Sequence, residues 1–118
     1  MKKIKHTSSN QEKIKRAFER QETKKLGYFF SKEQLWIDLN SIYENPFQYS
    51  IDNNLKLSYL YLLKNYYEKV EIKDIEFKNK DFYKRFYFER KKSFSNFIEK
   101  YKKENENILK FKKNFKRA

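Results

Sequence analysis

Aromatic rings and cations alternate between residues 82 and 94, where the sequence reads FYKRFYFERKKSF. Lys and Arg neutralise phosphates, and flat rings stack on unpaired bases, so one segment holds both chemistries of single-strand recognition. We therefore predict nucleic-acid binding, with RNA or single-stranded DNA favoured over duplex DNA. The predicted phosphate-contacting residues are Lys84, Arg85, Arg90, Lys91, Lys92, Lys102 and Lys103, helped by Lys13, Arg16 and Arg20. The rings predicted to touch bases are Tyr83 and Tyr87.

Positive charge is distributed unevenly along the 118 residues, whose formal net charge is +13. Residues 1–40 hold ten Lys or Arg and five Asp or Glu, a net charge of +5. Residues 41–80 hold six of each, and residues 81–118 hold thirteen and five, a net charge of +8. An AT-rich genome would enrich the chain in Lys, but that bias acts on all thirds alike. The unevenness therefore favours a surface for polyanions over a basic face that is merely solvated.

Residue types that ordinarily carry catalysis or bind metals are scarce. The chain has no Cys, its one His is His6 and its one Gly is Gly27. These counts exclude disulfides, thiolate metal sites and a Gly-rich phosphate loop. A nuclease-like set of Asp52 with Glu71 and Lys73 exists, but Glu-x-Lys occurs four times in this Lys- and Glu-rich chain, which indicates chance. We predict a non-enzymatic protein with no cofactor and no metal.

Capping signals and apolar periodicity predict most of the elements that position these residues. Capping boxes at Ser9–Glu12 and Ser31–Gln34 predict two helix starts. Gly27 is predicted to end the first helix, and Pro46 to begin a loop that runs to about residue 53. The predicted helices span residues 9–26, 31–44, about 54–69 and 93–109, and the third of them is central and largely buried.

The segment from residue 70 to residue 92 has two interpretations. Val70 to Lys73 alternates like a strand, and residues 78–81 resemble a hairpin turn. The same segment also fits one helical face with Asp81 as the N-cap, which is the interpretation we favour. We predict a mostly α fold, a small single-domain bundle of four or five helices, with the β-hairpin at about 70–90 as the alternative. The predicted organisation is a mobile basic arm at 1–8, a single helical domain at 9–109 and a basic C-terminal tail at 110–118.

Two further functions stay open from the sequence. One is a small protein-binding module, such as a phage- or plasmid-encoded inhibitor or accessory subunit of a nucleoprotein machine, because exposed rings anchor interfaces well. The other is a winged-helix protein that binds duplex DNA, with the hairpin as its wing. No apolar stretch reaches the roughly 18–20 residues of a membrane span, and none follows the basic start, so we expect a cytoplasmic protein. The oligomeric state is not predicted.

Overall fold

The computed structural model describes residues 8–117, with side chains described at 10–28 and 30–107. Within these residues the chain forms seven α-helices and two short 3₁₀ turns, which confirms the predicted mostly α class. The predicted arm lies outside the described residues except for Ser8. The helices are α1 (Ser8–Glu19), α2 (Thr23–Phe29), α3 (Lys32–Tyr43), α4 (Pro46–Asp52), α5 (Lys56–Tyr66), α6 (Asp81–Lys92) and α7 (Phe94–Arg117). The 3₁₀ turns are Tyr67–Lys69 and Ile72–Asp74.

Helix α5 is the centre of the bundle, as its nearly continuous apolar sequence predicts. Leu60, Leu62, Leu63 and the ring of Tyr59 are fully buried. Helices α2, α4, α6 and α7 all contact α5, and α1 and α3 pack against each other at one side. The core is therefore built from Phe, Tyr, Leu and Ile on every helix that surrounds α5.

The predicted helix 9–26 is interrupted near residue 20, which corrects the sequence-based boundary. Gln21 adopts a positive φ of 59°, and the N–H of Glu22 donates back to the carbonyl of Ala17 at 2.8 Å. The side chain of Gln21 is used as well, because its Oε1 accepts the N–H of Leu57 at 2.6 Å. The prediction that Gly27 ends the helix is also wrong, since Gly27 lies inside α2, which ends at Phe29.

The segment after α3 is a helix, whereas the sequence analysis predicts a loop there. Asn45 caps it, because its Oδ1 accepts the N–H of Gln48 at 3.1 Å. Pro46 occupies the first helical turn, where its missing N–H costs nothing. The Asn-Pro pair that ends α3 therefore also begins α4.

The hairpin alternative for residues 70–90 is wrong. Lys78 and Asn79 do form a tight turn with positive φ values of 53° and 61°, but α6 begins two residues later. No described residue is in a β-strand, so the wing of a winged helix is not formed. Helix α5, which would be the recognition helix, is buried in the core. The helical interpretation is confirmed for residues 81–92, but Asp81 is the first helical residue and Lys80, without a side-chain cap, occupies the N-cap position predicted for Asp81.

Within residues 8–117 no helix combines the length and the apolar character that crossing a bilayer requires.

Candidate nucleic-acid interface

Helical geometry separates the rings of α6 from its cations. Tyr83 is 1% exposed and Tyr87 is 4% exposed, whereas Lys84 and Arg85 face solvent. Residues 83, 87 and 90 recur at three- and four-residue spacing, so they share the face that packs on α5. The prediction that Tyr83 and Tyr87 touch bases is therefore wrong: both rings belong to the core.

Neighbouring rings hold both tyrosines in place. The ring of Tyr83 lies 4.7 Å from that of Tyr59 in an edge-to-face arrangement. Tyr87 contacts the rings of Tyr67 and Phe77 at 5.4 Å and 5.8 Å. Burial raises the pKa of Tyr83 to about 12, as expected for a phenol withdrawn from water.

Arg90 is engaged inside the protein and does not present its charge freely. Its Nε donates to the carbonyl of Leu63 at 3.0 Å, near the C-terminal end of α5. Its guanidinium lies 4.6 Å from the ring centre of Tyr67 and 4.5 Å from that of Phe94. The predicted phosphate contact at Arg90 is therefore replaced by a structural role that ties α6 to α5 and to the start of α7.

The structure brings Arg85 and Lys103 together between α6 and α7. They line a shallow depression of about 250 Å³ with Phe86, Lys100, Asn107 and one carboxylate, Glu104. Lys100 donates to Glu89 at 2.7 Å, which lowers the pKa of that carboxyl. Arg85 also contacts the ring of Phe82, over which Lys56 lies. We refer to these residues together as the α6–α7 basic surface: Lys56, Phe82, Arg85, Lys100 and Lys103.

Three members of this surface, Lys56, Phe82 and Lys100, are not among the predicted site residues. The half-buried ring of Phe82 has the ammonium of Lys56 at 4.9 Å and the guanidinium of Arg85 at 6.0 Å from its centre. Lys56 comes from the neutral middle third, so a count of charge by segment hides it. Phe82 precedes Tyr83 in the chain, and only the register of the helix shows which of the two rings reaches the surface.

The other predicted cations of the C-terminal third are exposed but lie elsewhere. Lys84 and Lys91 are seven residues apart and share one side of α6, and Lys92 follows at its end. Lys102 projects about 100° around α7 from Lys103, because successive helical residues are separated by that angle. The structure therefore does not bring Lys102 into the depression that Lys103 lines.

The three predicted cations of α1 do converge on one feature. Lys13, Arg16 and Arg20 line an open groove of about 550 Å³ between α1 and α2. Lys25 from α2 lines it too, and Ala17 and Phe30 supply apolar lining. We call this feature the α1–α2 groove.

None of the ten predicted cations forms an ion pair with a carboxylate of the described residues. The ion pairs that do form there use other lysines: Lys15 with Glu19, Lys25 with Glu22, Lys73 with Glu71, Lys78 with Asp52 and Lys100 with Glu89. Arg85 and Lys92 lie close enough to Glu89 to lower the pKa of that carboxyl, after the larger effect of Lys100, but neither forms an ion pair with it. Arg90 has the polar and ring contacts described above, and the guanidinium of Arg85 lies 5.0 Å from the ring centre of Phe86 and 6.0 Å from that of Phe82.

A carboxylate–tyrosine cluster joins α1, α3 and α4. Glu19 accepts the hydroxyls of Tyr43 at 3.1 Å and Tyr49 at 2.8 Å, and Lys15 at 3.0 Å. Burial raises the pKa of Glu19, but these hydrogen bonds outweigh it and the net pKa lies below the usual value. The ring centres of Tyr43 and Tyr49 are 4.1 Å apart. The cluster therefore stabilises the packing of α1 against α3 and α4.

The side-chain arrangement defines a small all-α protein with two basic surfaces. In the described part of the chain, no group of three or more His, Cys, Asp or Glu could hold a metal ion. No protein-family model, curated protein or solved structure matches the chain. Its function must therefore be argued from these surfaces.

Proposed function

We propose that this protein is a non-enzymatic nucleic-acid-binding protein whose phosphate contacts come from the exposed cations of α6, α7 and α1. The observation that carries the proposal is that these cations have no ion-pair partner among the described residues, while nearby lysines outside the set do. Unpaired like charges on one small domain repel one another. A bound polyanion would remove that repulsion, and the release of its counterions would supply most of the affinity.

RNA or single-stranded DNA remains the favoured ligand, for a reason that differs from the sequence-based one. Tyr83 and Tyr87 are withdrawn into the core, so Phe82 is the ring of the α6–α7 basic surface that a base can approach. The ammonium of Lys56 and the guanidinium of Arg85 lie over that ring, so a base that reaches Phe82 would also bring its phosphates close to two cations. Rings with flanking cations are the usual composition of single-strand sites.

The test is fluorescence anisotropy with labelled single-stranded RNA, single-stranded DNA and duplex DNA over a salt series. The test variant is Arg85→Glu/Lys103→Glu. The matched control is Lys69→Glu/Lys73→Glu, which makes the same change in net charge at exposed residues between α5 and α6. We expect the test variant to bind single strands at least about tenfold more weakly and to lower the log–log salt slope by about 0.7 per lost phosphate contact.

Two results would contradict the proposal. Equal weakening by the test and control variants would show that net charge alone attracts the ligand. Complete dissociation of all three ligands at an ionic strength of about 0.15 M would leave the basic surfaces without a nucleic-acid role and favour the protein-binding alternative. In that second case the protein should co-purify with one stoichiometric protein after nuclease treatment.

A further inference from the structure

The cations of α1 form a stripe. Lys13, Arg16 and Arg20 are spaced by three and four residues, so their side chains lie one above another on a single helix face. Ala17 lies in the same stretch, and its small side chain leaves room between α1 and α2 for the groove. The stripe is therefore the wall of a concave surface.

This arrangement is unfavourable for the protein alone. Like charges at three- and four-residue spacing on a helix repel each other and destabilise it. The carboxylate that lines the groove is Glu22, and its Oε1 lies 3.4 Å from the ammonium of Lys25, which is on α2. The three cations of α1 thus form no ion pair with a carboxylate of the described residues, and an anion in the groove would supply one.

An exposed ring lies next to the groove. Tyr28 is 80% exposed, the most of the large apolar or aromatic side chains exposed in the described part of the chain. Lys24, Lys25 and Tyr28 surround a second, shallower depression of about 480 Å³. Lys25 lines both this depression and the α1–α2 groove, so the two features are adjacent.

We propose that the α1–α2 groove binds a single-stranded nucleic acid, with its phosphates against Lys13, Arg16 and Arg20 and a base stacked on Tyr28. The inference rests on the proposed nucleic-acid function but concerns a second site, which α6 and α7 do not line. The favoured ligand is a single strand because duplex bases are already stacked on each other and leave no face for the ring. An acidic peptide could use the cations, and the test below separates it from a single strand.

The test compares two ligands of equal length: a short labelled oligothymidylate and an abasic oligonucleotide with the same phosphates. Tyr28→Ala should weaken binding of the oligothymidylate at least about fivefold and leave the abasic ligand unchanged, since stacking requires a base. Arg16→Gln/Arg20→Gln should weaken both ligands several-fold and lower the salt slope by about 0.7 per lost contact. The thermal stability of the Arg16→Gln/Arg20→Gln variant should equal or exceed that of the wild type, because repulsion along α1 is reduced.

Two control variants separate the proposed contacts from the general loss of an exposed side chain or of positive charge. Ile37→Ala removes an apolar side chain of α3 that is 59% exposed, and Lys69→Gln/Lys73→Gln removes the same charge from the neutral middle segment. If Tyr28→Ala weakens binding of the oligothymidylate no more than Ile37→Ala does, the proposed stacking of a base on Tyr28 is overturned. Suppose that Arg16→Gln/Arg20→Gln weakens binding no more than Lys69→Gln/Lys73→Gln does, while Arg85→Glu/Lys103→Glu still weakens it. Binding in the α1–α2 groove is then overturned, and nucleic-acid binding through α6 and α7 stands. If the wild type binds neither ligand, or binds a polyglutamate peptide more tightly than either, both proposals fall.

Discussion

Two buried tyrosines are in contact, but only one of their hydroxyl groups is hydrogen-bonded. Tyr59 and Tyr83 pack with their ring centres 4.7 Å apart and an interplanar angle of 73°. The hydroxyl of Tyr59 donates to the backbone carbonyl of Tyr83 at 2.7 Å. The hydroxyl of Tyr83 is fully buried and has no hydrogen-bond partner among the described residues. Removing each hydroxyl in turn therefore compares a satisfied group with an unsatisfied one in the same surroundings.

The expected changes in the free energy of unfolding have opposite signs. Tyr59→Phe removes one hydrogen bond and should cost about 1 kcal/mol. Tyr83→Phe removes a hydroxyl whose burial without a partner costs about 1–3 kcal/mol, so it should stabilise the protein by about 1 kcal/mol after the loss of packing contacts. For a domain of this size, each kcal/mol should change Tm by roughly 3–6 °C.

Urea denaturation and thermal melting followed by circular dichroism measure both variants against the wild type. Neither substitution touches the exposed cations, so neither should change the affinity measured in the test of the proposed function. The reasoning is refuted if Tyr83→Phe destabilises the protein as much as Tyr59→Phe does. That outcome would mean that the Tyr83 hydroxyl is hydrogen-bonded in solution.

Three other substitutions have expected outcomes that follow from the same geometry. Gly27→Ala should stabilise the protein by about 0.5–1 kcal/mol in denaturant titrations, because Gly27 is inside α2 and an added Cβ meets only the Tyr61 side chain, at ordinary distances of 3.6 Å from its hydroxyl and 3.9 Å from Cε1. Glu19→Gln should cost about 1–2 kcal/mol at neutral pH, because a carboxylate that accepts three hydrogen bonds is lost from a partly exposed site. The lowered pKa of Glu19 means that its contribution is present above the unfolded pKa and disappears as pH falls through the folded one, so the difference in Tm between variant and wild type should shrink on acidification. Arg90→Gln should cost about 2 kcal/mol, measured by denaturant midpoint, because the bond to the Leu63 carbonyl and two cation–π contacts are lost, whereas Lys91→Gln should be nearly neutral.

The parts of the fold that depend on local signals could be predicted from the sequence. Ser31 caps α3 as expected, with its Oγ accepting the N–H of Gln34 at 3.2 Å. The buried α5 follows from its continuous apolar sequence. The break at Gln21 could not be predicted in this way, because no Gly or Pro marks it. It is stabilised by a contact 36 residues away, where the Gln21 side chain accepts the N–H of Leu57.

In the candidate site, too, some features follow from the local sequence and others depend on long-range packing. Exposure of Lys84, Arg85 and Lys103 follows from charge alone, since such side chains are rarely buried without a partner. The choice of rings required the register of α6 against α5, and a shift of one residue separates half-buried Phe82 from buried Tyr83. Alternation along the sequence predicted that rings and cations would share a surface, but a helix places most of them on opposite faces.

The first turn of α5 contacts residues beside both basic surfaces, which the charge profile of the sequence does not show. Gln21, directly after Arg20 of the α1–α2 groove, bonds to the backbone of Leu57. Lys56, the preceding residue, lies over the ring of Phe82 on the α6–α7 basic surface. The middle third is neutral as a whole, yet it contributes a cation where the two cationic thirds of the chain approach each other. Net charge by segment is therefore a poor guide to the continuity of a binding surface, because packing around one central helix decides which cations become neighbours.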